Sequence, residues 1–137
     1  MQTKSHSHDK QISVDHEWGS LKEVVVGFTN LRFPSEVPAT SKNYLPKSSI
    51  EFIEKNRGQW LKDCEPELNQ QSIDQMKAII KILTDRGIIV HQVEQLSPAE
   101  VDYLTSNGDS VMQTFPRDPI LVIGNKVIET SMLESHR

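Results

Sequence analysis

The residues best suited to chemistry lie near the end of the chain, in Phe115-Pro116-Arg117-Asp118-Pro119. Asp118 stands between a cation and a proline at the mouth of an apolar run, Ile120-Leu121-Val122-Ile123. A carboxylate held rigidly on such a turn can grip a planar guanidinium, which offers paired N–H donors to its two oxygens. The competing reading is a solvated Arg117-Asp118 surface turn, the usual fate of charged loop residues. Cys64 is the one thiol and lies just before a helix start, where the dipole favours a thiolate. Asp63 and Glu65 flank it and oppose that anion, so it is not expected to be a nucleophile. His6, His8 and Asp9 read as a solvated tail rather than a metal site. His91, among Ile88, Ile89, Val90 and Val93, reads as a neutral, hydrogen-bonded strand residue, and His16 as packing at the entrance of the first strand. None of these has a Cys/His/Asp constellation around it. No metal, cofactor or catalytic side chain is therefore assigned.

The elements that must position Asp118 follow from periodicity. Residues 24–28 form a β-branched run closed by glycine and predict a buried strand covered on both faces. From residue 29 to 66 the chain carries Pro34, Pro38, Pro46 and Pro66, which predicts a long excursion with one short helix near 49–57. A loop of that length implies a surface for a partner. Pro66 then suits the first turn of a helix whose stripe is Ile73, Met76, Ile79, Ile80 and Leu83, ended by Gly87. A second strand follows at 88–93, and Ser97 with Glu100 predicts a capping box and a short helix to about Leu104. Asn107-Gly108-Asp109 is a turn, and residues 119–129 read as a hairpin with a primed turn at Gly124-Asn125.

Composition bounds the function classes. The sequence has 137 residues, enough for one domain and no second complete one. Lys and Arg number 15 against 19 Asp and Glu, so no global basic field exists for nucleic acid. No apolar run approaches the roughly 20 residues that span a bilayer, so no membrane partner is expected. The polar amino terminus lacks the apolar stretch of a secretory signal, and one cysteine fits a reducing compartment, so the expected location is cytoplasmic.

Three blocks carry a family resemblance. The stretch 114–129, Thr-Phe-Pro-Arg-Asp-Pro-Ile-Leu-Val-Ile-Gly-Asn-Lys-Val-Ile-Glu, resembles the arginine:glycine amidinotransferases, in which a Pro-Arg-Asp turn leads into an apolar strand, a Gly-Asn turn and an Ile-Ile-Glu strand. The stretch 16–27, with Glu17-Trp18, Leu21, Glu23-Val24 and Val26-Gly27, is similar to that family's amino-terminal pattern. The helix, Gly87 and the strand to His91 have a counterpart between them. The Arg-Asp-Pro turn is also similar to that of arginine deiminases, which share the wider fold.

The resemblance implies an α/β fold: a partial α/β-propeller of the pentein type, the first module and the start of the next, with mixed sheet strands and one long amphipathic helix. Residues 1–11 would be a disordered tail and 12–137 the amino-terminal portion of an amidinotransferase-like domain. It implies that Asp118 binds the guanidino group of arginine or a related compound. In the family a thiolate attacks the guanidinium carbon, an amine leaves with help from a histidine, and a second amine takes the amidino group. That cysteine and histidine would come after this chain's end, so the chain is expected to be truncated before them and inactive alone. The end departs from the family: Met132 matches, but Glu134 and Ser135 stand where a Trp-Arg pair is usual. The alternatives are a deiminase-like hydrolase fragment and a non-catalytic binding or assembly remnant. The expected partners are a guanidino compound and either a complementing carboxy-terminal segment or a second copy. Those partners would cover apolar surface left open after Val127 and Ile128.

Overall fold

The computed structural model describes residues 12–130 apart from Asp15, Glu17 and Arg117. The tail 1–11 with His6, His8 and Asp9, and the departure at 131–137, lie outside the described residues. The first β-branched run splits at Gly27 into β1 (Glu23–Val26) and β2 (Phe28–Arg32). The two halves serve different sheets. β1 pairs in parallel with β3 (Ile89–Gln92), placing Val24 beside Val90 and Val25 beside His91. β2 pairs antiparallel with β4 (Val111–Gln113) through a register shift between Phe28 and Leu31. β5 (Ile120–Ile123) and β6 (Lys126–Glu129) form a separate hairpin. Gly124 has φ +57 while Asn125 stays at negative φ, the pattern of a primed turn with glycine first.

A parallel pair cannot be closed by a tight turn, so the chain between β1 and β3 must cross over, and helices supply the crossover. They are α1 (Lys47–Lys55), α2 (Leu61–Cys64) and α3 (Pro66–Thr84). Pro66 occupies the first turn of α3, where its missing N–H costs nothing. Gly87, at φ +74, ends the helix as expected. Its N–H donates to the Thr84 carbonyl and that of Ile88 to Leu83, which satisfies two otherwise orphaned acceptors.

The region expected to be a long excursion with one short helix carries more regular structure than that. It contains β2, a 3-10 turn (Ser41–Asn43), α1 and α2, and it supplies Phe33, Val37 and Leu61, three of the four buried apolar side chains among the described residues. The fourth, Val111 of β4, is wholly buried. Phe33 meets Phe52 edge to face at 5.5 Å, an arrangement favoured by the ring quadrupoles. Backbone bonds from Phe33 to Gln59 and from Gly58 to Pro34 lace the two ends of the region together. The prolines escape the sequence argument because their carbonyls still accept: Pro34 from Gly58, Pro38 from Lys42, Pro46 from Ile50.

Two burial expectations are corrected. β1 alternates, with Val24 and Val26 half-buried and Val25 exposed, and Ile89 of β3, paired with Glu23, is exposed too, so β1 is not covered on both faces. In α3, Ile73, Met76, Ile80 and Leu83 are half-buried, but Ile79 points outward with Ile82. Val127 and Ile128 are exposed as anticipated. The result is a mixed α/β arrangement of three two-stranded sheets with one long amphipathic helix, none of the sheets closed among the described residues.

α4 (Pro98–Ser106) begins with the expected capping box and runs slightly past Leu104. The Ser97 hydroxyl and backbone N–H donate to Glu100 Oε2 at 2.6 and 2.7 Å, and the Glu100 N–H donates back to Ser97 Oγ at 3.4 Å. The hydroxyl bond first, then the backbone bond, hold the Glu100 carboxyl below its ordinary value. A carboxyl depressed on folding contributes stability that is present above its unfolded pKa and lost as pH falls through its folded one. Ser97→Ala removes the hydroxyl that caps α4 and bonds Glu100, and should lower stability near neutral pH. Urea titrations of both proteins should show the difference shrinking as acid protonates Glu100.

Candidate functional site

A recess of about 220 Å3 opens where the ends of β3 and β4 meet the start of β5, lined by Val93, Met112, Gln113, Phe115, Pro116, Asp118 and Pro119. Strand ends in α/β structures are where ligand sites gather, because the strands hold loops rigidly there. Its walls come from two stretches, Val93 after β3 and residues 112–119. Apolar side chains dominate, with one amide and one carboxylate among them.

The lead-in to Asp118 is held closely. Gly27 lets the 113–114 backbone lie against the β1–β2 junction, since a β-carbon there would collide with the Gln113 and Thr114 carbonyl oxygens. The Gly27 carbonyl in turn accepts from Gln92 Nε2 at 3.2 Å, and Val93 N–H donates to Val26 at 3.1 Å. Gln113 donates from Nε2 to the Glu94 carbonyl at 2.6 Å and accepts the Leu96 N–H on Oε1 at 3.2 Å. Asp118 itself sits in a turn, its N–H donating to the Phe115 carbonyl at 3.3 Å. Its own carbonyl accepts from the Thr130 hydroxyl at 3.4 Å, at the base of the hairpin. The Asp118 residue is exposed at the recess, and Phe115 is 56% exposed beside it. A carboxylate on a fixed backbone beside apolar walls can hold a cation that carries an apolar stem.

The other sequence candidates fall elsewhere. Cys64 is half-buried at the end of α2, its Sγ 3.9 Å from the Leu61 carbonyl, and does not line the recess. His91 is hydrogen-bonded as expected, with Nε2 2.9 Å from Glu23 Oε2 across the β1–β3 pair, and it too stands off the recess. His16 is exposed and accepts the Trp18 N–H on Nδ1 at 3.2 Å. It does not pack at the entrance of β1, and Trp18 is 89% exposed. Arg117 lies outside the described residues. Among the described residues no group of three His, Cys, Asp or Glu could hold a metal, and no helix is long and apolar enough to cross a membrane. Sequence reasoning missed Val93, Met112 and Gln113. β4 has three residues, too few for any periodicity to show.

No family model matches the chain. Over 124 residues, 85% of this chain, it is 32% identical to the protein named glycine amidinotransferase, mitochondrial, of Xenopus laevis. The protein of the same name from Xenopus tropicalis is 31% identical over the same length. In each case the chain spans 27% of the relative's length.

The contact at Gly27 supports both the sheets and the lead-in to the recess. Gly27→Ala should destabilise the protein by about 3 kcal/mol, the upper end of overpacking costs, because backbone rather than a flexible side chain would have to move. Thermal unfolding of the variant beside the parent measures it.

Proposed function

From a chain related to the amidinotransferase family, we propose a guanidino-binding portion of an enzyme that transfers an amidino group from arginine to an amine, with Asp118 as the residue that grips the guanidinium. The observation carrying this reading is the placement of Asp118 in the lining of a mostly apolar recess, on a turn whose backbone is tied at Phe115 and Thr130. Two N–H donors of a guanidinium match the two carboxylate oxygens, while the apolar lining accommodates methylenes. The three small open sheets and the exposed β5–β6 hairpin support a place in a larger propeller of the pentein type. A complementing segment or a second copy would then be the macromolecular partner. The single cysteine supports a reducing compartment, for which we propose the cytoplasm, although the relatives' printed names are mitochondrial.

In this reading the chain does not turn over arginine alone. Amidino transfer needs a nucleophile to take the group and an acid to release the amine. Neither Cys64 nor any described histidine lines the recess. The second reading, a binding or assembly module without chemistry, is favoured by the same geometry together with the exposed apolar residues Ile120, Leu121, Ile123, Val127 and Ile128. Chromatography of the chain with and without arginine separates it from a site for guanidines.

Titration calorimetry with arginine should register binding, weakened about tenfold by Asp118→Asn, the share expected of one exposed charge-assisted contact. Cys64→Ala should leave the affinity unchanged. The purified chain should release no ornithine from arginine. Release that disappears in Asp118→Asn would overturn the inactivity, and equal affinity of the parent and Asp118→Asn would sink the assigned role of Asp118.

A further inference from the structure

The two walls of the recess belong to segments that meet only through tertiary contacts. Among the described residues, both hydrogen bonds that join the 93–97 linker to the 112–119 stretch come from one side chain, Gln113. Its amide bonds the linker as a backbone rung would, donating to the Glu94 carbonyl and accepting from the Leu96 N–H. A primary amide sets a donor and an acceptor side by side in one planar group at any pH, and Asn, the other side chain that carries one, is a methylene shorter. Gln113 is also the last residue of β4, half-buried, with its own carbonyl pressed toward the bare α-carbon of Gly27. The strap from 114 to 119 that carries Asp118 is therefore anchored at both ends. Thr130 holds the far end through the Asp118 and Pro119 carbonyls, and Gln113 holds the near end.

We infer that Gln113 is a positioning residue for this site: it fixes the spacing between Val93 and the Asp118 turn, and so the aim of the carboxylate, without itself gripping the ligand. Its carbonyl oxygen and one of its N–H groups are already committed to the linker. The inference rests on the proposed guanidino site for its ligand, and on hydrogen bonds alone for its mechanics.

The test uses the whole chain and two variants. Gln113→Met keeps length and volume but loses both bonds. Gln113→Glu keeps the acceptor for the Leu96 N–H and loses the donor to Glu94 until acid below about pH 4.3 protonates it. Amide exchange followed by NMR, and calorimetry with arginine, are the readouts. In Gln113→Met the Leu96 and Asp118 amides should exchange at least about tenfold faster and arginine should bind about tenfold more weakly. The Val93 amide, bonded to Val26, should stay protected and so report an intact β1–β3 pair. Gln113→Glu should restore Leu96 protection and part of the affinity. Parental affinity in Gln113→Met despite a freed Leu96 amide overturns the inference, as does an Asp118 amide whose exchange is unchanged. If arginine binds neither parent nor variants, the guanidino reading fails by itself. The exchange of the Asp118 amide then still decides whether Gln113 orders the turn.

Discussion

At Gly27 there is no room for a β-carbon, and much of the molecule is arranged around that lack. The Gln113 and Thr114 carbonyls occupy the space a side chain would take. β1 ends on one side of this contact and β2 begins on the other, so a single extended run serves a parallel sheet and an antiparallel one. Because β4 reaches its place only by pressing on Gly27, the strap leading to Asp118 inherits its starting position from a backbone contact. Position set by backbone atoms is less adjustable than position set by side chains, since rotamers cannot relax it.

The second organising fact is where the apolar core sits. It lies under the 33–61 region, around Phe33, Val37, Leu61 and Val111, rather than between α3 and the first sheet. Val111 of β4 and Arg32 of β2 are direct partners in the antiparallel pair, so this core and the recess share a strand. The buried polar groups there are mostly answered: Asn56 Nδ2 donates to the Phe52 carbonyl, and Ser41 Oγ meets the Tyr44 hydroxyl at 3.2 Å. Arg32 Nη1 is the exception among the described residues. The core, then, supports the near wall of the site from beneath, and the Gln113 bonds tie that wall to the opposite one.

Local signals were legible in the residues wherever one physical preference acted alone. Pro66, Gly87, the Ser97–Glu100 box and the Gly124 turn all stand where their backbone chemistry demands. The apolar stripe of α3 was legible too, except that Ile79 lies too far round the helix to be covered. What could not be read depended on distant partners. Four prolines made 29–66 look irregular, yet the carbonyls of Pro34, Pro38 and Pro46 lace the segment together and its side chains close a core with the distant Val111. At the site, Asp118 and its neighbours Phe115 and Pro116 were visible as a motif, whereas Val93 and Gln113 belong to it only because β3 and β4 end side by side.

The exposed hairpin also has a calorimetric meaning. All four residues of β6 are exposed, and Ile120, Leu121 and Ile123 of β5 keep about half of their surface in water in the folded state. Side chains already hydrated before unfolding add little when the chain opens, so the heat-capacity increment should be small for a protein of this length, and the denaturant slope with it. A small increment flattens the stability curve, leaving this protein less sensitive to cooling than a better-covered domain of equal stability.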